Sequence, residues 1–128
     1  MKKIVFLFIA TFTLLSCEAQ QKKGVELVPP VEFEKQMAEH KGQLIDVRTP
    51  KEFAEGHLEG AENIHLYDRD FIQRVDKLDK KETVYVYCKA GGRSSEAVSI
   101  LKTKGFEHIV ELQGGTDAWA EDGKPFTE

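Results

Sequence analysis

The sequence predicts a single α/β domain built on a largely parallel sheet, and three observations point to it. From residue 29 onward, short apolar runs alternate with amphipathic stretches, the pattern of strands joined by crossover helices. The segment Thr83-Val84-Tyr85-Val86-Tyr87 is β-branched or aromatic throughout, as a strand covered on both faces requires. At 128 residues the chain is long enough for one core and too short for two.

The N-terminus reads as an address rather than as part of that domain. Met1 to Lys3 is basic, and Ile4 to Leu15 carries no charge over twelve residues. That is the length of a signal-peptide apolar region, short of the roughly 20 residues a spanning helix needs. It ends in Leu14-Leu15-Ser16-Cys17, which resembles a bacterial lipoprotein signal. The resemblance implies that residues 1–16 are removed, that Cys17 is acylated, and that residues 17–28 form a polar tether to a domain at 29–128. The expected location is outside the cytoplasm, facing the periplasm or cell exterior, with the lipid as the only membrane contact.

Within the domain, Leu44-Ile45-Asp46-Val47 reads as a strand. Thr49-Pro50-Lys51-Glu52 is a helix start, with Thr49 as N-cap, Pro50 at the first helical position and Glu52 closing a capping box. That helix stops at Gly56. Ala61 to Leu66 reads as a strand, and Asp70 to Leu78 as a helix with Phe71, Val75 and Leu78 on one face. Asp79-Lys80-Lys81-Glu82 is a solvated turn ahead of the 83–87 strand. Ser94 to Lys104 is a helix with Ala97, Val98 and Leu101 on its apolar side, ended by Gly105. His108 to Leu112 is a last strand, followed by a Gly114-Gly115 turn and a short helix around Trp119, a core residue.

Charge narrows the partners. The net charge is −4, and loss of Lys2 and Lys3 leaves 16 of the 18 basic residues against 22 acidic ones, or −6. An acidic chain whose largest basic cluster is Lys22-Lys23 does not suit nucleic acid, which needs clustered cations. A monomer is expected.

Of the two cysteines, Cys17 is assigned to the lipid, so Cys88 stands without a disulfide partner. It sits where the 83–87 strand ends and the next helix has not begun, in the link Cys88-Lys89-Ala90-Gly91-Gly92-Arg93-Ser94. A helix N-terminus offers unpaired N–H groups and partial positive charge, and Lys89 and Arg93 add two cations; all favour a thiolate. Gly91 and Gly92 let the backbone curl so that successive amides face one anion.

Cys88-x-x-Gly91-x-Arg93-Ser94 resembles the active-site loop of the rhodanese family. A second signature is similar too, in Asp46-Val47-Arg48, Glu52-Phe53, Gly56-His57 and Gly60-Ala61-Glu62-Asn63-Ile64. A third, Leu112-Gln113-Gly114-Gly115 with Ala118-Trp119, matches the family's C-terminal end. The resemblance covers residues 30 to 126. It implies a single rhodanese-like domain with a five-stranded parallel sheet flanked by helices on both faces. It also implies a thiosulfate-type sulfurtransferase in which the Cys88 thiolate, with no general base, takes the outer sulfur of a small anionic donor. A thiol, cyanide or protein acceptor then collects the sulfur from the persulfide, which is the only cofactor-like group.

By that resemblance the amides and side chains of Lys89, Ala90, Gly91, Gly92, Arg93 and Ser94 bind the sulfur and its donor. Asp46 and Arg48 brace the loop from below, and Arg93 closes it by bonding to backbone carbonyls or to Asp46. The related dual-specificity phosphatases use a loop one residue longer, which fits a phosphate, whereas this loop suits a single sulfur atom. A persulfide carrier or redox-sensing interaction module with little turnover is the alternative reading. Glu52 is explained by its cap and His57 by a structural hydrogen bond. His40, His65 and His108 lack ligand-like spacing, so no metal is expected.

Overall fold

The computed structural model describes residues 23–128. Cys17, the apolar segment before it and the start of the tether lie outside the described residues. Five parallel strands alternate with helices: β1 (Gly24–Val28), α1 (Pro30–Glu39), β2 (Gly42–Asp46), α2 (Pro50–Glu55), β3 (Glu62–Asn63), α3 (Phe71–Val75), β4 (Thr83–Tyr87), α4 (Gly92–Thr103), β5 (His108–Leu112) and α5 (Gly115–Glu121). The sheet order is β1-β5-β4-β2-β3, so β4 is central and every one of its residues is buried.

Alternation along β4 divides the core into two layers. Val84, Val86 and Cys88 face α3 and α4, packing with Ile45, Phe71, Val75, Ala97, Leu101 and Ile109. Tyr85 and Tyr87 face the other side with Phe33 of α1, Leu58, Val110 and Trp119 of α5. Both tyrosines keep their polar ends satisfied, as buried phenols must. The Tyr85 hydroxyl donates to the carbonyls of Gln36 and His40 at 3.0 and 2.7 Å, and the Tyr87 hydroxyl accepts from the Leu58 amide at 3.1 Å. The five-stranded parallel sheet with helices on both faces is the one the resemblance implied.

Several boundaries differ from the sequence reading. Residues 24–28, assigned to the tether, form the edge strand β1, paired along its length with β5. Val25 and Leu27 stay exposed and only Val28 is buried, so the segment lacks the apolar density that marks an inner strand. The strand expected over 61–66 is reduced to Glu62–Asn63, because only these two residues pair with β2. Beyond them the regular ladder ends, though the Ile64 and Leu66 amides still donate to the Asp46 and Val47 carbonyls and both side chains remain buried. The 70–78 helix contracts to Phe71–Val75, with Asp70 as its N-cap and Leu78 in the turn that follows. α4 starts at Gly92 rather than Ser94, which places Arg93 and Ser94 in its first turn. The capping box on α2 forms as read: the Thr49 hydroxyl accepts from the Glu52 amide at 3.2 Å, and Glu52 reaches back to Thr49.

Candidate active site

Cys88 follows the last residue of β4 and precedes α4, so the central strand delivers its sulfur to the start of the longest helix in the described chain. The side chain is 1% exposed. Its sulfur accepts a hydrogen bond from the Gly91 amide at 3.0 Å and lies 3.4 Å from the Ser94 hydroxyl. Gly91 takes φ 121°, a backbone conformation closed to residues with a side chain, and this curl turns its amide back onto the sulfur.

The loop is held from beneath by α5. The Thr116 amide donates to the Cys88 carbonyl at 2.9 Å and the Asp117 amide to the Lys89 carbonyl at 3.0 Å. In a trans peptide the N–H points opposite to its C=O. Fixing those two carbonyls toward α5 therefore turns the amides of Lys89 and Ala90 to the other side of the loop. Gly115 makes the close approach possible, since any Cβ there would collide with the carbonyls of Cys88 and Lys89. This is the physical role of the third signature.

The two loop cations meet different partners. Arg93 forks onto Glu52, with Nη1 and Nη2 donating at 2.7 and 3.0 Å to its two carboxylate oxygens. It does not reach Asp46. The expectation that Arg93 bonds to backbone carbonyls or to Asp46 is corrected: its partner is the Glu52 carboxylate, and Asp46 is taken by Arg48. The same Glu52 carboxylate closes the α2 capping box, so α2 and α4 are joined through one side chain. The Arg93 guanidinium, helped by Thr49, holds the Glu52 carboxyl down at about 2. Lys89 projects outward and pairs with Asp117 at 2.8 Å, both side chains more than half exposed.

Asp46 and Arg48 form a compact unit below the loop. The Arg48 guanidinium bonds both Asp46 oxygens, at 2.6 to 3.0 Å, and also donates to the Gly56 carbonyl at 2.7 Å. It lies over the Tyr87 ring at 5.7 Å, and the Val47 amide donates to the Tyr87 carbonyl at 3.1 Å. Their connection to the loop thus runs through Tyr87, the residue before Cys88. Burial, with Asp46 adding to it, pushes the Tyr87 phenol well above the ordinary tyrosine range. His57 stacks on Phe53 at 3.6 Å and bonds its carbonyl through Nδ1, a structural placement.

Beside the loop lies an open cleft of about 270 Å³, lined by Arg48, Glu52, Glu55, Gly56, Lys89, Thr116 and Phe126. Of these, Thr116, Glu55 and Phe126 were not singled out in the sequence, and neither was Asp117. All four are distant in sequence from Cys88 and carry no local signature. Glu111 was missed as well, although a lone acid inside the apolar run His108-Ile109-Val110-Glu111-Leu112 was a readable signal. It is 7% exposed and accepts from the Ser94 hydroxyl at 2.7 Å.

A parallel α/β sheet that presents one cysteine in an amide-lined loop at a helix N-terminus is a scaffold for thiol chemistry, and comparison with known proteins specifies it. Residues 29–122 match the Rhodanese-like domain, and the chain belongs to that family. It is 36% identical over 93 residues to thiosulfate sulfurtransferase 16, chloroplastic, of Arabidopsis thaliana, covering 65% of this chain and 78% of that protein. It is 42% identical over 82 residues to the thiosulfate sulfurtransferase PspE of Escherichia coli strain K12, covering 62% and 74%. The rhodanese-related protein of Thermoplasma volcanium superposes with a TM-score of 0.71 at 25% identity, over 80% of this chain and 97% of that one.

Proposed function

We propose that this chain is a sulfurtransferase that carries a sulfane sulfur as a persulfide on Cys88. The Cys88 thiolate attacks the outer sulfur of thiosulfate or a similar donor. A sulfur–sulfur bond forms to Cys88 as the donor's own S–S bond breaks and sulfite leaves with its electron pair. A thiophilic acceptor, cyanide or a thiol, then attacks the outer persulfide sulfur and regenerates the thiolate.

The observation that carries this reading is the seat of the sulfur. Cys88 is almost fully buried, and its Sγ is already bonded by the Gly91 amide. A slim terminal sulfur can reach it. Once loaded, the persulfide extends roughly 2 Å further toward the loop mouth, one S–S bond length, where an acceptor can attack. Lys89 is placed to attract an anionic donor to that mouth, and the loop amides to stabilise the charged outer sulfur.

The test is intact-mass analysis of the full-length chain after incubation with thiosulfate. A gain of about 32 Da that cyanide removes is expected, and Cys88→Ser should show neither gain nor turnover. Sulfur loaded but scarcely released to cyanide or small thiols would favour a carrier serving a protein acceptor. Loading that survives in Cys88→Ser would move the site elsewhere.

We also propose that the chain is exported and anchored through lipid on Cys17, on the strength of the Leu14 to Cys17 sequence. Among the described residues no helix is long and apolar enough to cross a membrane. Fatty-acid labelling of the wild type and not of Cys17→Ala is the expected result, and equal labelling of both would defeat the idea.

A further inference from the structure

The cleft beside the Cys88 loop has a volume of about 270 Å³, close to the roughly 300 Å³ at which small-molecule pockets begin. A five-atom thiosulfate ion leaves much of it empty. The cleft borders the loop at both ends. Lys89, whose Cα lies about 3.8 Å from that of Cys88 across one peptide, lines it on one side. Glu52, bonded to Arg93, lines it on another, and Thr116 holds the Cys88 carbonyl through its amide. Phe126 supplies an apolar wall, kept in place by the paired backbone bonds between Thr127 and His57 at 2.8 and 2.9 Å.

The charges around this space are matched, with one exception. Arg48 is spent on Asp46, Glu52 on Arg93, and Lys89 rests on Asp117 at the exposed rim. Glu55 stands three residues after Glu52, so the two carboxylates share one side of α2. It is exposed, and it has no hydrogen bond or ion pair among the described residues. A carboxylate left open in a cleft that also holds a rim lysine and an aromatic wall complements a ligand with a cation at one end and an anion at the other. Thiosulfate carries no cation, so Glu55 offers the donor nothing.

We propose that the cleft binds the sulfur acceptor, and that this acceptor is an amino-acid thiol. Its ammonium pairs with Glu55, its carboxylate meets Lys89, and its methylene group packs on Phe126. The inference rests on the sulfur-transfer reading and names the acceptor class for that same site. The acceptor enters after sulfite has left, so Lys89 meets one anion at a time. The acceptor's sulfur bonds to the outer sulfur of the Cys88 persulfide as the bond from that sulfur to Sγ breaks. The electron pair of the broken bond returns to Cys88 as a thiolate. The acceptor's thiol proton ends on the transferred persulfide, and one persulfide is exchanged for another without oxidant or reductant. Glu55 selects the acceptor and takes no part in the bond changes.

Single-turnover discharge of the sulfur-loaded, full-length chain tests this apart from loading. Cysteine is compared with mercaptopropionate, which keeps the thiol and the carboxylate but lacks the ammonium. The readout is the cysteine-to-mercaptopropionate ratio of discharge rates, and the thiols' own difference in reactivity cancels when wild type and variant are compared. Glu55→Gln should lower that ratio by about threefold to fivefold, the size of an exposed ion pair. Glu55→Lys should lower it further, because mercaptopropionate then gains a cation. High salt should shrink both differences. Glu55 is exposed, so neither substitution disturbs the core. A ratio that is unchanged in both variants, or that rises, overturns the proposal and leaves sulfur transfer standing. Loaded sulfur that neither thiol removes overturns it as well. Should thiosulfate load no sulfur, the sulfur-transfer reading falls and the cleft is judged by binding alone. S-methylcysteine should then shift the Phe126 ring resonances of the wild type and not those of Glu55→Lys. No shift in the wild type, or an equal shift in both, overturns the proposal.

Discussion

Lys89 and Arg93 enter the Cys88 loop with the same charge, one near either end, yet they stand in different surroundings. Arg93 is about three-quarters buried, makes two parallel bonds to Glu52 and shares that carboxylate with the cap of α2. Lys89 holds Asp117 through one flexible ammonium in open solvent. Beneath both, Arg48 and Asp46 are buried together, every short bond between them made out of reach of water. The three pairs form a series in which the same Coulomb attraction meets falling dielectric screening and rising desolvation cost. What they teach is that a cation's role in this loop follows from where its partner lies. An arginine that joins two helices is architecture, and a lysine at the rim is available to a ligand.

The comparison is broken most severely at its buried end. Arg48→Ala would strand the Asp46 carboxylate, which is fully buried, and strip a donor from the Gly56 carbonyl. A loss of about 3 kcal/mol or more is expected, seen as a drop in urea midpoint. A near-normal midpoint would mean that water reaches Asp46 and that the pair behaves as a surface bridge.

The middle of the series is Arg93 with Glu52. Arg93→Ala should lower both Tm and kcat, because it releases α4 from α2 and loosens the loop amides. If KM alone rises, Arg93 binds the donor and the assignment of roles is reversed. The same pair predicts a pH dependence. The Glu52 carboxyl sits at about 2 in the folded chain against an ordinary 4.5. A lowered carboxylate stabilises the fold fully above its unfolded value and loses that contribution as pH falls through the window between the two. The stability gap between wild type and Glu52→Gln should therefore be largest above about pH 5 and shrink toward about pH 2. With partial exposure discounted, it amounts to about 1 to 2 kcal/mol. A gap that stays constant with pH would mean that neither Arg93 nor Thr49 favours the charged form of Glu52 over the neutral one.

These pairs also mark where the sequence was legible. Features confined to a few neighbouring residues could be read: the capping box at Thr49 to Glu52, the all-buried strand at Thr83 to Tyr87, and the loop from Cys88 to Ser94. Features that depend on chain reversal could not. Glu52 reads as a cap because Thr49 is three residues away, while its second partner, Arg93, lies on another helix. Asp117 and Thr116 belong to a short helix whose role is to hold the loop carbonyls, which no local pattern announces. β1 was hidden because an edge strand with Val25 and Leu27 exposed looks like a tether. The partner of Arg93 was left between backbone carbonyls and Asp46, since only geometry shows that Glu52 takes it and that Arg48 takes Asp46.

The smallest expected effect on stability, and the sharpest on binding, lies at Lys89. Its bridge to Asp117 is exposed on both sides, so Lys89→Ala should change stability by less than about 1 kcal/mol. Lys89 lines the cleft beside the loop, so the same change should raise KM for thiosulfate while leaving kcat nearly intact. Loss of one free charge contact worth about 1.4 kcal/mol would give roughly tenfold. Asp117 already neutralises part of that charge, so the rise should fall short of tenfold. The partner therefore offers the opposite experiment. Asp117→Asn removes the competing carboxylate but keeps the backbone amide that holds the Lys89 carbonyl, and it should lower KM for an anionic donor. Both effects should fade in high salt, because exposed charges are screened. If Asp117→Asn raises KM instead, the carboxylate serves to aim the ammonium rather than to compete for it, and the exposed pair belongs with Arg93 as part of the frame.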